Sequence, residues 1–275
     1  MVQVILAGLF FCFASGCTKA PSSEGLSPSK EQVLPQADVV STFTLVGHSQ
    51  SGRKKWQVQG QTANLMEETV HLSPVAATSF GEVNVHLTAE QGQFHKPTQD
   101  VHLEKDVVVT TSDGARLNTD RLDWKAQREM GRTDDWVTVT RPGMVVVGKG
   151  GIGYPKLRRV RLAEQVKVTL QGKEGNVVVT CDGPMEVDYK RNKARFWRNV
   201  HVRDSKGLIQ SDRMDVTLEP RTNQIRQANC WGHVQIHRKN QVSFSHWAKY
   251  HWQVPGRTLL SGHPQLVMRG EEDGQ

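Results

Sequence analysis

The 275-residue chain lacks the signatures of the commoner chemistries. It has four cysteines. Cys12 falls in the N-terminal apolar stretch and Cys17 directly follows it, which leaves the body with Cys181 and Cys230. There is no Cys-x-x-Cys pair, no His-Glu-x-x-His and no Gly-x-Ser-x-Gly elbow. Those absences remove zinc ribbons, zinc proteases of that type and α/β-hydrolases. Nowhere do apolar residues recur at helical spacing over three turns, so a helical bundle is excluded. The longest uncharged apolar run, Val2 to Gly16, is too short for a membrane-spanning helix, which needs about 20 residues. Hydrophobic residues make up 37% of the chain and the mean hydropathy is −0.51. That is a polar but globular composition.

What is present is alternation. Asn199-Val200-His201-Val202-Arg203 reads as a strand with Val200 and Val202 on one face. Asp204 to Gly207 reads as a turn, and Leu208 to Val216 as a returning strand with a looser pattern. The phrase recurs. Shifted by 34 positions, Val234-Gln235-Ile236-His237 overlies it, and in the other direction Val166-Lys167-Val168 does. Asp120-Arg121-Leu122-Asp123 restates Asp212-Arg213-Met214-Asp215. Hairpin-sized units beginning near 107, 137, 166, 200 and 234 predict an all-β fold of stacked antiparallel strands. The candidates for the lining of an apolar groove, with an ordinary closed core as the alternative, are then Val107, Val109, Leu122, Trp124, Val137, Val139, Val166, Val168, Val200, Val202, Val234 and Ile236.

The ends and the charge speak to compartment. Val2 to Gly16 suits the hydrophobic core of an export signal. Its end, Phe13-Ala14-Ser15-Gly16-Cys17, resembles the lipobox of bacterial lipoproteins, which would make Cys17 a lipidated residue. Thr18 to Asp38 is rich in Pro, Ser, Lys and Glu and reads as a flexible tether. The expected organisation is a signal over 1–16, a tether over 17–38, and β modules over 39–172 and 173–270, divided at the polar turn Gly172 to Asn176. The formal charge of +7 calls for an anionic partner. Export removes nucleic acid and leaves a membrane surface or a phosphorylated ligand. In an oxidising compartment Cys181 and Cys230 are candidates for a disulfide, the alternative being two buried thiols.

Apparent sites dissolve on inspection. Gly148-Lys149-Gly150-Gly151-Ile152-Gly153 fits G-x-G-x-x-G, but Tyr154-Pro155 follows instead of a helix, so a flexible glycine loop is expected. His233 and His237 share the wetter face with Gln235, opposite Val234 and Ile236. Strand polarity accounts for them better than a metal. Asp120, Asp123, Asp212 and Asp215 suit ion pairs with neighbouring arginines better than acid–base work. Lys156, Arg158, Arg159 and Arg161 read as a solvated strand face or a docking patch for phosphates. No enzyme, metal or cofactor is expected.

Several segments resemble the LptC family of lipopolysaccharide export. Thr44-Leu45-Val46-Gly47-His48 and Trp56-Gln57-Val58-Gln59-Gly60-Gln61-Thr62-Ala63 are similar to its opening. Asp106-Val107-Val108-Val109, with Asp113 to Trp124, is similar to its best marked segment. From about 176 the chain resembles the related LptA/OstA-like module, through Gly183-Pro184-Met185-Glu186-Val187-Asp188-Tyr189, Ser211-Asp212-Arg213-Met214 and Leu260-Ser261-Gly262-His263-Pro264. The resemblance implies a twisted, open β-jellyroll whose apolar interior shields lipopolysaccharide acyl chains in the periplasm. It implies receipt of lipid from the LptF–LptG ABC transporter and delivery to an LptA-like bridge protein. It also implies edge-to-edge docking, including self-association; members commonly carry an N-terminal membrane helix, which a lipid on Cys17 would replace here, with the inner membrane expected and the outer membrane the alternative. Two rivals remain: an outer-membrane β-solenoid lipoprotein binding glycan or a partner protein, and a secreted β-solenoid polysaccharide enzyme.

Overall fold

The computed structural model describes residues 39–48, 51–64, 68–81, 83–155, 157–172, 175–220, 225–252 and 257–268. The expected signal, the tether and Cys17 lie outside the described residues. The fold is all-β, with one short 3-10 turn at Ala126–Arg128. The strands form a single antiparallel meander. It opens with β1 (Val39–His48), β2 (Lys54–Asn64) and β3 (Thr69–Ser79). It continues through β4 (Val85–Ala89), β5 (Gln91–His95), β6 (Asp100–Thr111), β7 (Arg116–Lys125), β8 (Met130–Arg141) and β9 (Met144–Tyr154). Then come β10 (Arg159–Gly172), β11 (Gly175–Cys181), β12 (Met185–Asp188), β13 (Lys193–Asp204) and β14 (Gly207–Leu218). The meander closes with β15 (Ile225–Arg238), β16 (Gln241–His251), β17 (Thr258–Ser261) and β18 (Gln265–Met268).

The long strands are bent at mid-length. Pairing registers slip between Glu104 and Val107 in β6, Glu164 and Lys167 in β10, Trp197 and Val200 in β13, and Trp231 and Val234 in β15. Residues at these slips take positive φ, among them Lys105, Asp106, Gln165, Arg198, Asn199 and His233. A bulge bends its strand and sharpens the local twist. A line of bulges across neighbouring strands therefore folds one hydrogen-bonded sheet over an apolar interior. Shorter strands divide at the same line. β3 pairs with both β4 and β5, β10 with both β11 and β12, and β16 with both β17 and β18.

The bulges explain why alternation looked loose after the turn at Asp204. Ile209 and Ser211 are buried, and the next buried residue is Met214, three positions on instead of two. Thr119 and Ser211, each at such a slip, donate their hydroxyls to the carbonyls of Arg121 and Arg213. The repeated (Ser/Thr)-Asp-Arg-(Leu/Met)-Asp phrase is thus a bulge signature. A buried hydroxyl satisfies a carbonyl that the broken ladder leaves unpaired.

The turn beside the phrase is built as the sequence indicated. The backbone N–H groups of Lys206 and Gly207 donate to Asp204 Oδ1, both at 2.9 Å. Gly207 has φ +145°, and a Cβ there would lie 2.0 Å from the His237 carbonyl oxygen. Only glycine fits both constraints.

The Gly148–Gly153 segment corrects an expectation. It is a paired part of β9 and not a loop, with Gly148 opposite Val137 and Gly151 opposite both Thr133 and Leu162. A Cβ on Gly148 would come within 3.0 Å of Leu162 Cδ1. The glycines let a buried leucine of β10 lie close against the β9 backbone.

Candidate functional site

Of the twelve candidate groove residues, nine are buried and three are half-buried. Val107 and Val200 are 0% exposed. Val109, Val137, Val166, Val168, Val202, Val234 and Ile236 are also buried, and Leu122, Trp124 and Val139 are half-buried. Val137, Val166, Val168, Val200, Val202, Val234 and Ile236 belong to one apolar cluster, with Val139 packed on it. Val107 lies in a second cluster with Val75, Ala89 and Leu103, against which Leu122 packs. His201 is half-buried and Lys167 is exposed, each adjacent to inward valines.

Sequence alternation missed part of this surface. Leu103, Leu162, Phe196, Met214 and Cys230 are buried on the far side of the bulge line. Leu103, Leu162, Phe196 and Cys230 each lie four positions before an inward valine, across residues of positive φ, and Met214, three after Ser211, falls out of phase with a period of two. The (Ser/Thr)-Asp-Arg phrase was the signal that marks the phase change.

The larger cluster runs from Val137 in β8 to Tyr250 in β16 without a break at residue 172. β10 pairs with β11 from Val166↔Cys181 to Gly172↔Gly175, so the sheet is also continuous there.

The carboxylates considered for catalysis meet different partners. Arg213 Nε and Nη2 donate to the two oxygens of Asp215 at 3.0 Å each. Asp212 meets His233 Nδ1 at 2.8 Å. Asp123 meets His102 Nδ1 at 2.7 Å, and Glu104 meets His102 Nε2 at 2.7 Å. The hydrogen bond to Glu104 leads in raising the His102 pKa above its ordinary value, and Asp123 adds to it. The same bond holds the Glu104 carboxyl below the usual range. Arg121 pairs with Asp135 across the sheet, and that guanidinium depresses the Asp135 carboxyl. Among the described residues, no group of His, Cys, Asp or Glu is arranged to hold a metal ion.

On the outer face, Trp197, Arg213, Trp231 and Trp247 stand in register across β13 to β16. The Arg213 guanidinium lies 5.8 Å from the Trp197 ring and 5.1 Å from the Trp231 ring. Cation–π attraction thus ties β13, β14 and β15 together beside the bulge line.

Cys181 and Cys230 do not form the disulfide that export would allow; both thiols are free and buried. Cys230 on β15 pairs across to Met214 on β14, which pairs to Phe196 on β13 and then to Met185 on β12. Cys181 ends β11, beyond that rung and opposite Val166. The two thiols thus sit on strands that are not neighbours, whereas a bridge needs Cα atoms about 5.5–6 Å apart. Burial pushes the Cys181 thiol up to about 11 and the Cys230 thiol to about 12, so neither ionises readily.

The basic run is divided by its strand. Leu162 is buried in the core, Arg161 is exposed, and Arg159 lies 3.5 Å from both Glu186 and Asp188 on β12. Part of its charge is therefore answered within the sheet.

The C-terminal edge is open. Every residue of β18 is exposed, with Leu266 at 56%, Val267 at 52% and Met268 at 72%. No helix among the described residues is long and apolar enough to cross a membrane.

Such geometry defines a class of protein: a bent antiparallel sheet closed over apolar side chains, with an exposed apolar edge strand, β18, paired to β16. Within that class the chain belongs to the lipopolysaccharide-assembly, LptC-related family, whose family model matches residues 9–171, more than half of its length. A sequence comparison with curated proteins gave no match. The family is a transport component of the periplasmic cell envelope and takes part in lipopolysaccharide transport. It binds lipopolysaccharide and other transport components, and it is not a family of known enzymes.

Proposed function

We propose that this chain binds lipopolysaccharide along its interior and passes it from the LptF–LptG ABC transporter toward an LptA-like bridge protein. The observation that carries the reading is the continuity of the inward face. Family-matched Val137, Val166 and Val168 share one apolar cluster with Val200, Val202, Val234 and Ile236 of the C-terminal half. In this reading residues 173–270 act as an LptA/OstA-like module added to an LptC-like one of 39–172, and the two form one groove. Acyl chains gain about 0.8 kcal/mol per buried CH₂, so the apolar stretch from β8 to β16 favours every position of the lipid along it. No residue has to be catalytic, because the transporter's ATP drives movement. Cys17 carries the lipid that holds the chain at the inner membrane, and Arg158 and Arg161 of the basic run offer charge to phosphates; Lys156 lies outside the described residues. β18 pairs with the bridge protein by adding a strand to an exposed edge.

Photoreactive residues at Val109, Val168 and Val202, compared with Lys167 and His201, test the groove in cells making lipopolysaccharide. Adducts at the three valines and not at the outward pair are expected. A correctly exported protein with no adduct at any valine would instead have a solid core, and the glycan- or protein-binding lipoprotein would take its place.

A further inference from the structure

The bulge line divides the sheet into two walls. One carries Phe196, Met214 and Cys230, and the other carries Val202, Ile209 and Ile236. Away from the bulges the two walls meet again. Arg238 ends β15 in the second wall, opposite Gln241 of β16. Tyr250 lies nine positions further along β16, opposite Ala228 in the wall of Cys230. Straight strand would hold Arg238 and Tyr250 about 30 Å apart. The Arg238 guanidinium lies 5.2 Å from the Tyr250 ring. That contact therefore spans the mouth between the walls. Each partner is held from behind. Arg238 Nη1 donates to Asp204 Oδ1 at 2.7 Å, and the same oxygen accepts the Lys206 and Gly207 N–H groups. Tyr250 is buried and packs edge-on against Trp252, with ring centroids 4.4 Å apart.

The same three residue types meet near the middle of the chain. Arg141 ends β8 and Asp113 lies in the β6–β7 turn, beyond Val139 and Val109 of the second wall. Arg141 Nη2 donates to Asp113 Oδ2 at 3.2 Å. Tyr189 follows β12 in the wall of Phe196, where its N–H donates to the Arg158 carbonyl beside the start of β10. Arg141 stands near the far end of β10, where the Gln171 N–H donates to the Gly143 carbonyl. The length of β10 separates the two along the sheet. The Tyr189 phenol nevertheless lies in the field of that pair: burial pushes it up, Arg141 opposes the rise and Asp113 adds to it. The ion pairs are alike in setting, with side-chain exposures of 16% and 10% for Arg238 and Asp204 and of 10% and 17% for Arg141 and Asp113. An Asp–Arg–Tyr clasp thus closes the mouth in both halves of the chain.

The walls, so held, leave no room between them. Val200 is 0% exposed, Ile209 1% and Val202 2%. An acyl chain reaches these side chains only when the walls part, and parting the walls breaks the clasps. The closed clasp is also marginal. Arg238 Nη2 is buried without a hydrogen-bond partner among the described residues, a cost that opening to water removes. We infer that the Asp204–Arg238–Tyr250 and Asp113–Arg141–Tyr189 clasps form a lateral gate, shut over the apolar interior and parted when an acyl chain enters between the walls. The inference rests on the lipid-carrying reading and deepens it by naming the step that admits the ligand. A protein that binds only when open shows an affinity reduced by its open fraction, so weakening a clasp strengthens binding.

The test measures the mouth and the affinity together in the full chain. Spin labels are coupled to a ketone-bearing amino acid at Arg226 and Lys239, which leaves the native thiols untouched. Both positions are exposed, one on each wall. The distance between the labels is read by pulsed electron resonance with and without the lipid anchor of lipopolysaccharide. On binding, the wild-type distance should lengthen by about 5 Å, one side-chain layer or half the spacing of packed sheets. Arg238→Met keeps an unbranched chain against the ring and gives up the ion pair. It should populate the longer distance without lipid and bind the lipid about fivefold more tightly. Arg238→Lys keeps the charge but loses the flat guanidinium, and should move both readouts the same way by less. Arg141→Met repeats the affinity measurement at the other clasp, with the same gain expected. Binding at an unchanged distance, with unchanged affinity in the variants, would make the clasps permanent straps and overturn the gate while leaving the groove standing. A widened mouth in Arg238→Met with weaker binding would make Arg238 a contact of the lipid and would also overturn the gate. Absence of binding in every protein would overturn the groove and the gate together.

Discussion

At the scale of single residues, titration and burial decide behaviour. His102 sits between Glu104 and Asp123, and its pKa is raised from 6.5. A raised folded-state value means the imidazolium contributes stability in full below pH 6.5, and that contribution is lost as pH rises through the folded pKa. The depressed Glu104 value sets the other side: its contribution is present above 4.5 and is lost as pH falls through the folded value. His102→Gln should therefore destabilise most at about pH 5.5 and least at about pH 9, as read by denaturant midpoints at both pH values. An effect independent of pH would mean the imidazole packs without charging. The cysteines make a second case. With both thiols buried and hard to ionise, neither should react with an alkylating reagent in the native protein, and both should react in denaturant. Labelling of either thiol in the native state would show that its strand opens locally.

At the scale of elements, the bulge line and the outer ladder hold the bent sheet in register. Arg213 bridges β14 to aromatic rings on β13 and β15 while its fork engages Asp215. Its side chain is 44% exposed, so the ion pair is discounted for solvent screening and the stacking carries more of the effect. Arg213→Ala should cost about 1 kcal/mol. Arg132→Ala is the control, because the Arg132 guanidinium makes its ion pair with Asp134 on the same exposed face of the same strand, β8. It should leave the thermal midpoint unchanged. Equal loss in the two variants would remove the ladder's special role. The glycine-rich part of β9 belongs to this scale too. Read as sequence, Gly148 to Gly153 suggested a loop. Read against β10, it is the strand that makes room for Leu162.

At the scale of the whole molecule, the meander has two ends, and β18 leaves apolar side chains on one of them. An edge with exposed Leu266, Val267 and Met268 templates another strand unless something covers it. Lysine on an edge blocks such pairing. The Leu266→Lys/Val267→Lys variant should lose association with a second copy or with an LptA-like partner by about tenfold or more, a tenfold loss being about 1.4 kcal/mol. Its monomer fold should be kept. Sedimentation of wild type and variant over a concentration series checks this, and unchanged association would move the contact to the other edge, at β1.

The sequence alone determined that the chain is all-β, where the turn at Asp204 to Gly207 falls, which valines face inward and which family the chain joins. Strand faces alternate with a period of two, so Val166, Val200 and Val234 declare their side without reference to the rest of the fold. A bulge shifts that period by one, so Met214 became legible as core only once the strands were paired, whereas Leu162, Phe196 and Cys230 stand in phase with Val166, Val200 and Val234. The fate of the two thiols, the answering of Arg159 by β12, and the burial of Arg238 between Asp204 and Tyr250 were likewise decided by tertiary structure. Each depends on which strands lie side by side, a relation among residues far apart in the chain that local alternation does not encode.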